Sequence, residues 1–221
     1  MIPLRDSARS RRFPVVNVAL IAVNVAVFLY EMTLSTRQVD ALFRAFGLVP
    51  ARFGAAGVYS FLPLLTSQFL HGGPLHVGAN MLYLWVFGDN VEDRMGHLRY
   101  LVFYLLLGTI SGLTHVMFNL RSRVPTVGAS GAVAGILGAY FLMFPRSRVV
   151  ALVPLVFFWS VTEVPAVVFL LFWFVLQLAS GVASAGAAQV GSGVAWWAHI
   201  GGFAAGAALV GLFRPKRRWP Y

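Results

Sequence analysis

The chain lacks cysteine altogether and carries little charge. Without cysteine, disulfide bridges and thiolate metal sites are excluded. Charged residues make up 11% of its 221 positions, whereas a soluble domain carries about 25%. Hydrophobic residues reach 59% and the mean hydropathy is +0.78. The shortage of charge and the long apolar runs therefore predict an integral membrane protein in a lipid bilayer.

Several patterns of other protein classes are also missing. The zinc-protease pattern His-Glu-x-x-His is absent, and only Asp89 among the aspartates lies near an apolar run, so neither a metalloprotease nor an aspartyl protease is favoured. No inverted repeat is visible, which weighs against a transporter or channel with a histidine-lined path. The net charge of +10 comes from arginines that flank apolar runs, which is typical of topology control. We expect no metal, no cofactor and no nucleic-acid partner.

Six apolar segments are predicted to cross the bilayer, so the expected fold is an all-α, polytopic bundle of six helices. The second and fourth segments hold only about 14–15 residues, whereas a full span needs about 20. Short helices can begin at membrane depth where protein or a water-filled cavity satisfies their ends. The first outer loop, Leu34–Phe61, is long. The segments are Val15–Met32, Leu75–Gly88, Tyr100–Phe118, Ser130–Phe144, Val164–Ala183 and Trp196–Phe213.

The distribution of cations predicts the topology. With both termini inside, 12 of the 17 cations lie in inner segments and 5 in outer ones. A seventh span at Val149–Thr162 would move four C-terminal cations outside, so this run is expected to be interfacial or an inner loop packed on the bundle. The predicted organisation is a cytoplasmic segment 1–14, a membrane domain 15–213 and a basic cytoplasmic tail 214–221. The expected location is a bacterial plasma membrane.

Four polar residues are predicted to meet at one depth toward the outer face. His76 and Asn80 share a helical face on the second span, Ser130 opens the fourth, and His199 lies one turn into the sixth. Polar groups in lipid are costly and usually face a cavity or a partner, so their convergence predicts a functional site. Each also has a structural interpretation, as a packing motif, a hydrogen-bonded pair or a helix cap.

The chemistry predicted for this site is nucleophilic catalysis. A serine hydroxyl needs an adjacent base, here His199. Free N–H groups at the start of a helix, together with His76 and Asn80, would stabilise an oxyanion beside Ser130. The seven acidic residues are interpreted as lying at inner ends or in loops, out of reach of His199, which favours a Ser-His dyad over a triad.

Small residues are predicted to bring the helices of the site together. Glycines recur on one face of the fourth span and on one face of the sixth, and small residues allow membrane helices to approach closely. Gln177 on the fifth span predicts a helix–helix hydrogen bond. His71 and His115 are interpreted as loop-anchoring or cavity-lining residues. The glycines expected to support packing are Gly128, Gly131, Gly135, Gly202 and Gly206.

Three motifs resemble those of the rhomboid intramembrane serine proteases in order, spacing and span. They are Gly128-Ala129-Ser130-Gly131, His76-Val77-Gly78-Ala79-Asn80 and Ala198-His199-Ile200-Gly201-Gly202, within a resemblance that covers about Leu64–Gly206. The resemblance implies a six-helix fold, a Ser130–His199 dyad, oxyanion assistance by His76 and Asn80, and transmembrane proteins as substrates. It also implies that the fifth helix and the loop Gly181–Ala195 move to admit a substrate helix.

The resemblance leaves three questions open. Some members stack a tyrosine on the histidine, but Ala134 occupies that position here, so what orients His199 is not predicted. A binding or quality-control relative of the same fold, with Ser130 silent, is the main alternative to an active protease. The oligomeric state is not predicted either, because glycine faces serve internal packing as readily as dimers.

Overall fold

The computed structural model describes residues 1–54, 61–154, 159–186 and 195–214. These residues form eight α-helices and three β-strands. The helices are α1 (Val15–Met32), α2 (Thr36–Phe46), α3 (Leu62–Thr66), α4 (Pro74–Met95), α5 (His97–Phe118), α6 (Ser130–Met143), α7 (Ala166–Gly186) and α8 (Trp196–Phe213). The strands are β1 (Ile2–Asp6), β2 (Arg148–Pro154) and β3 (Trp159–Pro165).

Six of these helices, α1 and α4 to α8, coincide with the six predicted spans. Helices α1 and α8 have the predicted bounds. In the described part of the chain, α1, α5, α7 as far as Ser184 and α8 are long and apolar enough to cross a membrane, and α6 is a shorter apolar helix. The prediction of a polytopic helical membrane bundle is therefore confirmed.

Helix α4 runs for 22 residues and so continues beyond Gly88, where the second predicted segment ends. The charged residues after Gly88 continue the helix, since their polar groups find partners. Glu92 is 1% exposed, and its carboxylate accepts the backbone N–H groups of Val16 at 2.9 Å and Asn17 at 2.7 Å. Those are among the first N–H groups of α1, which has no side-chain cap of its own at Pro14. The charged end of α4 thus caps α1.

Helix α6 lies at the centre of the bundle, and its residues Gly131–Tyr140 are all buried. Glycines allow α8 to pack directly on its backbone. A Cβ added to Gly202 would overlap the carbonyl oxygen of Gly131, and one added to Gly206 would overlap the backbone of Gly135. The two helices therefore meet backbone to backbone over two successive turns.

The described parts of the run Val149–Thr162 are strands and not helix, and they contribute to a sheet that the sequence analysis did not predict. The strand order is β1-β2-β3, with both pairs antiparallel. Val149 and Ala151 are fully buried while their neighbours in β2 are more exposed, which is the alternation of a half-buried strand. The N-terminal segment supplies β1, so part of the predicted segment 1–14 packs on the bundle.

The N-terminal strand is joined to α6 through Asp6. The Asp6 carboxylate contacts the hydroxyl of the fully buried Tyr140, and it accepts a hydrogen bond from Asn90 Nδ2 at 3.0 Å. Burial, reinforced by the nearby charge of Asp89, raises the pKa of Asp6 to about 6, although the hydrogen bonds oppose the shift. The predicted tail 214–221 lies outside the described residues except for Arg214.

The raised pKa of Asp6 predicts that folding stability decreases as the pH rises. The folded protein holds this proton more tightly than the unfolded chain, so the stabilisation is complete below about pH 4 and is lost through about pH 6. Thermal unfolding in detergent at about pH 5 and about pH 7.5 should give the higher Tm at the lower pH. Asp6→Asn should reduce this difference, and an unchanged difference in the variant would contradict the assignment.

The contact between α6 and α8 predicts that Gly206→Ala is destabilising. Its new methyl group would overlap the Gly135 backbone, which cannot move aside as a flexible side chain would. Such overpacking costs about 1–3 kcal/mol, and the loss should appear as a lower Tm. Gly211→Ala on the same helix is the matched control, because a Cβ there meets no atom within 4 Å. Equal Tm values for the two variants would argue against close backbone packing.

Candidate active site

Ser130 is the first residue of α6, and the turn before it is held by backbone hydrogen bonds. Gly128 has φ of 128°, a conformation that L side chains rarely adopt, and its N–H donates to the Ser67 carbonyl at 2.9 Å. Thr126 pairs through both backbone groups with Leu48 in the first loop, at 2.8 and 2.9 Å. The backbone N–H of Ser130 lies in the first turn of α6, where N–H groups have no acceptor within the helix.

His76 faces this turn from the first turn of α4. Its Nδ1 accepts the Gly72 N–H at 3.3 Å, so in the neutral ring the proton is on Nε2. The position that a Cβ of Gly128 would take lies 2.7 Å from this Nε2 and 3.7 Å from Ser130 Oγ. A side chain at Gly128 would therefore overlap the His76 ring, and glycine here lets an N–H donor and a hydroxyl lie close to the same point.

Asn80 follows His76 one turn later on α4. It is 7% exposed, and within the described structure its Nδ2 has no hydrogen-bond partner. A buried amide donor without a partner is costly and calls for an explanation. The buried His71 ring packs edge to face against His76 at 5.2 Å between centroids, while its backbone N–H contacts the Glu31 carboxylate at 3.2 Å.

His199 lies in the first turn of α8 and is bonded to α7. Its Nδ1 is 2.8 Å from Oε1 of Gln177. The rings of Trp173 and Trp196 flank it, with centroids 6.0 and 6.2 Å from the imidazole. Gln177 thus makes the predicted helix–helix hydrogen bond, and its partner is the candidate base itself. Sequence reasoning missed this pairing, although a glutamine in an otherwise apolar span signals a buried polar partner.

Ser130 and His199 lie on the two helices that pack backbone to backbone. The Ser111 hydroxyl adds a link from α5, since it donates to the Ala198 carbonyl at 2.8 Å. Among the described residues, Ser130 Oγ and the His199 ring share no hydrogen bond. Catalytic hydrogen bonds are often long in free enzymes and tighten when substrate binds.

The structure describes all seven acidic residues, and none of them bonds to His199. The interpretation that every acid lies in a loop or at an inner end is wrong for Glu31. This residue lies in the last turn of α1, 4% exposed, where it accepts the His71 N–H at the end of the bundle that holds His76. Its partner explains why a carboxylate is tolerated there.

A small cavity with several polar groups in its lining adjoins Ser130. Its volume is about 30 Å³, enough for one water molecule. His115 borders it, and its Nε2 lies 2.9 Å from Thr126 Oγ1, so this side chain also anchors the loop before Ser130. Over the described ranges, no three His, Asp or Glu side chains are arranged to hold a metal ion. Other lining residues are Gln68, Ser111 and Gly128.

Comparison with known proteins identifies the family. Residues 56–216 match the family model described as the Rhomboid domain, a range that encloses the three motifs. The chain therefore belongs to the rhomboid family, a family of polytopic membrane proteins, and the resemblance inferred from the motifs is confirmed.

Three curated relatives show the similarity, one from a plant and two named as mitochondrial proteins. RHOMBOID-like protein 4 of Arabidopsis thaliana is 35% identical over 160 residues, covering 71% of this chain and 35% of that protein. Rhomboid protein 1, mitochondrial, of Saccharomyces cerevisiae is 29% identical over 140 residues, covering 61% and 38%. Presenilin-associated rhomboid-like protein A, mitochondrial, of Danio rerio is 31% identical over 100 residues, covering 44% and 26%. The chain spans about a third of the length of the first two relatives and about a quarter of the third.

Proposed function

We propose that this chain is a serine-type endopeptidase that hydrolyses peptide bonds within or near the transmembrane segments of other membrane proteins. Membership of the rhomboid family supports a protease-like function inside the membrane. The observation that carries the proposal is the nearness of His76 Nε2–H to Ser130 Oγ beside Gly128, at 2.7 and 3.7 Å from one point. A scissile carbonyl that approaches Ser130 would meet a nucleophile and a donor together.

In the first half of the reaction, Ser130 Oγ attacks the scissile carbonyl carbon while His199 takes the hydroxyl proton. The carbonyl oxygen becomes an oxyanion, and the preorganised donors beside it lower the energy of the intermediate. These donors are the Ser130 backbone N–H, His76 Nε2–H and Asn80 Nδ2, whose buried amide has no partner in the described part of the free protein.

In the second half, the C–N bond breaks and the imidazolium of His199 returns its proton to the leaving amine. Water then attacks the acyl-enzyme, with His199 again as base, and releases Ser130. The cavity of about 30 Å³ beside Ser130 is large enough to supply that water at membrane depth. Hydrolysis in lipid needs such a source, because the hydrocarbon core contains almost no water.

The proposed topology places the site toward the outer face, with both termini in the cytoplasm. It is supported by the excess of cations in the segments assigned to the inner side. The bilayer and transmembrane proteins are the proposed partners, and neither a cofactor nor a nucleic acid is included. A bacterial plasma membrane stays a prediction, since the relatives compared are plant and mitochondrial proteins.

Removal of either dyad residue should abolish proteolysis. Purified wild-type protein should cleave a single-span membrane substrate, whereas Ser130→Ala and His199→Ala should not, because one lacks the nucleophile and the other the base. Gel analysis of the products and mass spectrometry of the cleavage site provide the measurement. Cleavage by Ser130→Ala at the wild-type rate would show that Ser130 and His199 are not the catalytic dyad.

A second candidate function is binding of membrane proteins without cleavage. It is favoured by the lack of a hydrogen bond between Ser130 Oγ and His199 over the described residues. A fluorophosphonate probe separates the two functions, since it labels only an activated serine. Labelling of wild type but not of His199→Ala supports the protease, and no labelling of folded wild type supports the binding protein.

Loss of one oxyanion donor should lower turnover and leave the fold intact. We expect His76→Ala and Asn80→Ala each to reduce kcat by roughly tenfold to a thousandfold. Gly78→Ala lies on the same helix and is the matched control, because a Cβ there meets no atom within 4 Å. Thermal unfolding should be measured in parallel with kcat. A wild-type kcat in His76→Ala or in Asn80→Ala would show that the substituted residue has only a structural role.

A further inference from the structure

The orientation of the Gln177 amide is determined by its two contacts. Gln177 is 8% exposed, and its Nε2 donates to the Trp173 carbonyl of its own helix at 3.3 Å. A carbonyl can only accept, so the NH₂ group must face Trp173 and the amide oxygen must face α8. That oxygen lies 2.8 Å from Nδ1 of His199, and an oxygen acceptor requires a proton on this nitrogen.

We propose that Gln177 is the positioning residue of the catalytic base: its amide oxygen holds the proton of His199 on Nδ1 and leaves Nε2 free to accept the proton of Ser130. The inference rests on the function proposed above. In the neutral ring one nitrogen is a donor and the other an acceptor, so the partner of Nδ1 decides which nitrogen is the base. Trp173 and Trp196 flank the ring and restrict its rotation.

A neutral amide suits this place in the protein. A carboxylate in the same role would have to be buried between two membrane helices, where an ion is costly. When His199 takes the Ser130 proton, both ring nitrogens carry hydrogen, and the amide oxygen then accepts from a charged donor, which strengthens the bond. Gln177 therefore stabilises the protonated base more than the neutral one, which assists proton removal from Ser130. It touches neither the substrate nor the reacting atoms.

The test compares a variant that removes the hydrogen-bond acceptor of Gln177 with a variant that keeps an acceptor. Gln177→Met keeps the length of the side chain but has no amide oxygen, and it should lower kcat by about tenfold to a hundredfold with little change in KM. Gln177→Glu keeps an acceptor at the same position and should retain more activity than Gln177→Met. Thr109→Val on α5 is the matched control, since this isosteric change removes a hydroxyl that donates to the Leu105 carbonyl of its own helix.

A spectroscopic readout separates positioning from general destabilisation. Nitrogen-15 NMR of labelled histidine, assigned with His199→Ala, should show the Nδ1–H tautomer in wild type and its loss in Gln177→Met. If Gln177→Met does not fold, the tautomer of His199 in the wild type provides the test. A proton on Nε2 instead of Nδ1 overturns the proposal.

The outcomes distinguish this inference from the proposed function. If folded wild type neither cleaves substrate nor reacts with a fluorophosphonate, the protease function fails. If wild type cleaves and Ser130→Ala does not, but Gln177→Met keeps the wild-type kcat and tautomer, only the role of Gln177 fails. A lower Tm in Gln177→Met with unchanged kcat per folded molecule would likewise reduce Gln177 to a packing residue.

Discussion

The backbone contact between α6 and α8 is the constraint on which the rest of the structure depends. Because Gly202 and Gly206 have no side chains, the carbonyl of Gly131 and the backbone of Gly135 can lie directly against α8. Ser130 and His199 stand at the adjoining ends of these two helices, so their approach follows from glycine packing rather than from any attraction between them. Side chains larger than hydrogen at this seam would separate the helices and the two functional groups with them.

Around this seam, buried polar groups act mainly as ties between elements that are distant in the sequence. Glu92 caps the start of α1, Asp6 joins the N-terminal strand to Tyr140, and Glu31 holds the backbone at His71. Each carboxylate accepts from a group on another element, as the cost of burying a charge in an apolar bundle requires. The Asn80 amide nitrogen and both ring nitrogens of His71 differ, because they are buried and have no hydrogen-bond partner within the described residues.

Much of this arrangement was predictable because a lipid bilayer allows few backbone structures and few polar side chains. Apolar length identified six helices, and the rarity of polar residues at membrane depth singled out Ser130, His199, His76 and Asn80. The extension of α4 was missed because hydropathy stops at Gly88, whereas the helix continues through charged residues that cap α1. The sheet was missed because β1 and β2 are far apart in the chain. The pairing of Gln177 with His199 depends on the facing of α7 and α8, which periodicity alone does not determine.

The shortness of α6 has a consequence for which bonds of a passing helix the protein can reach. Its 14 residues span about 21 Å, whereas the 22 residues of α5 span about 33 Å and the hydrocarbon core is about 30 Å thick. A bilayer matched to α5 therefore leaves Ser130 recessed beneath one surface. If the chain cleaves transmembrane helices as proposed, each change of about 1.5 Å in the depth of that surface moves the peptide bond opposite Ser130 by about one helical residue. In thinner or thicker lipid, the proposed protease would then meet a different peptide bond of the same helix.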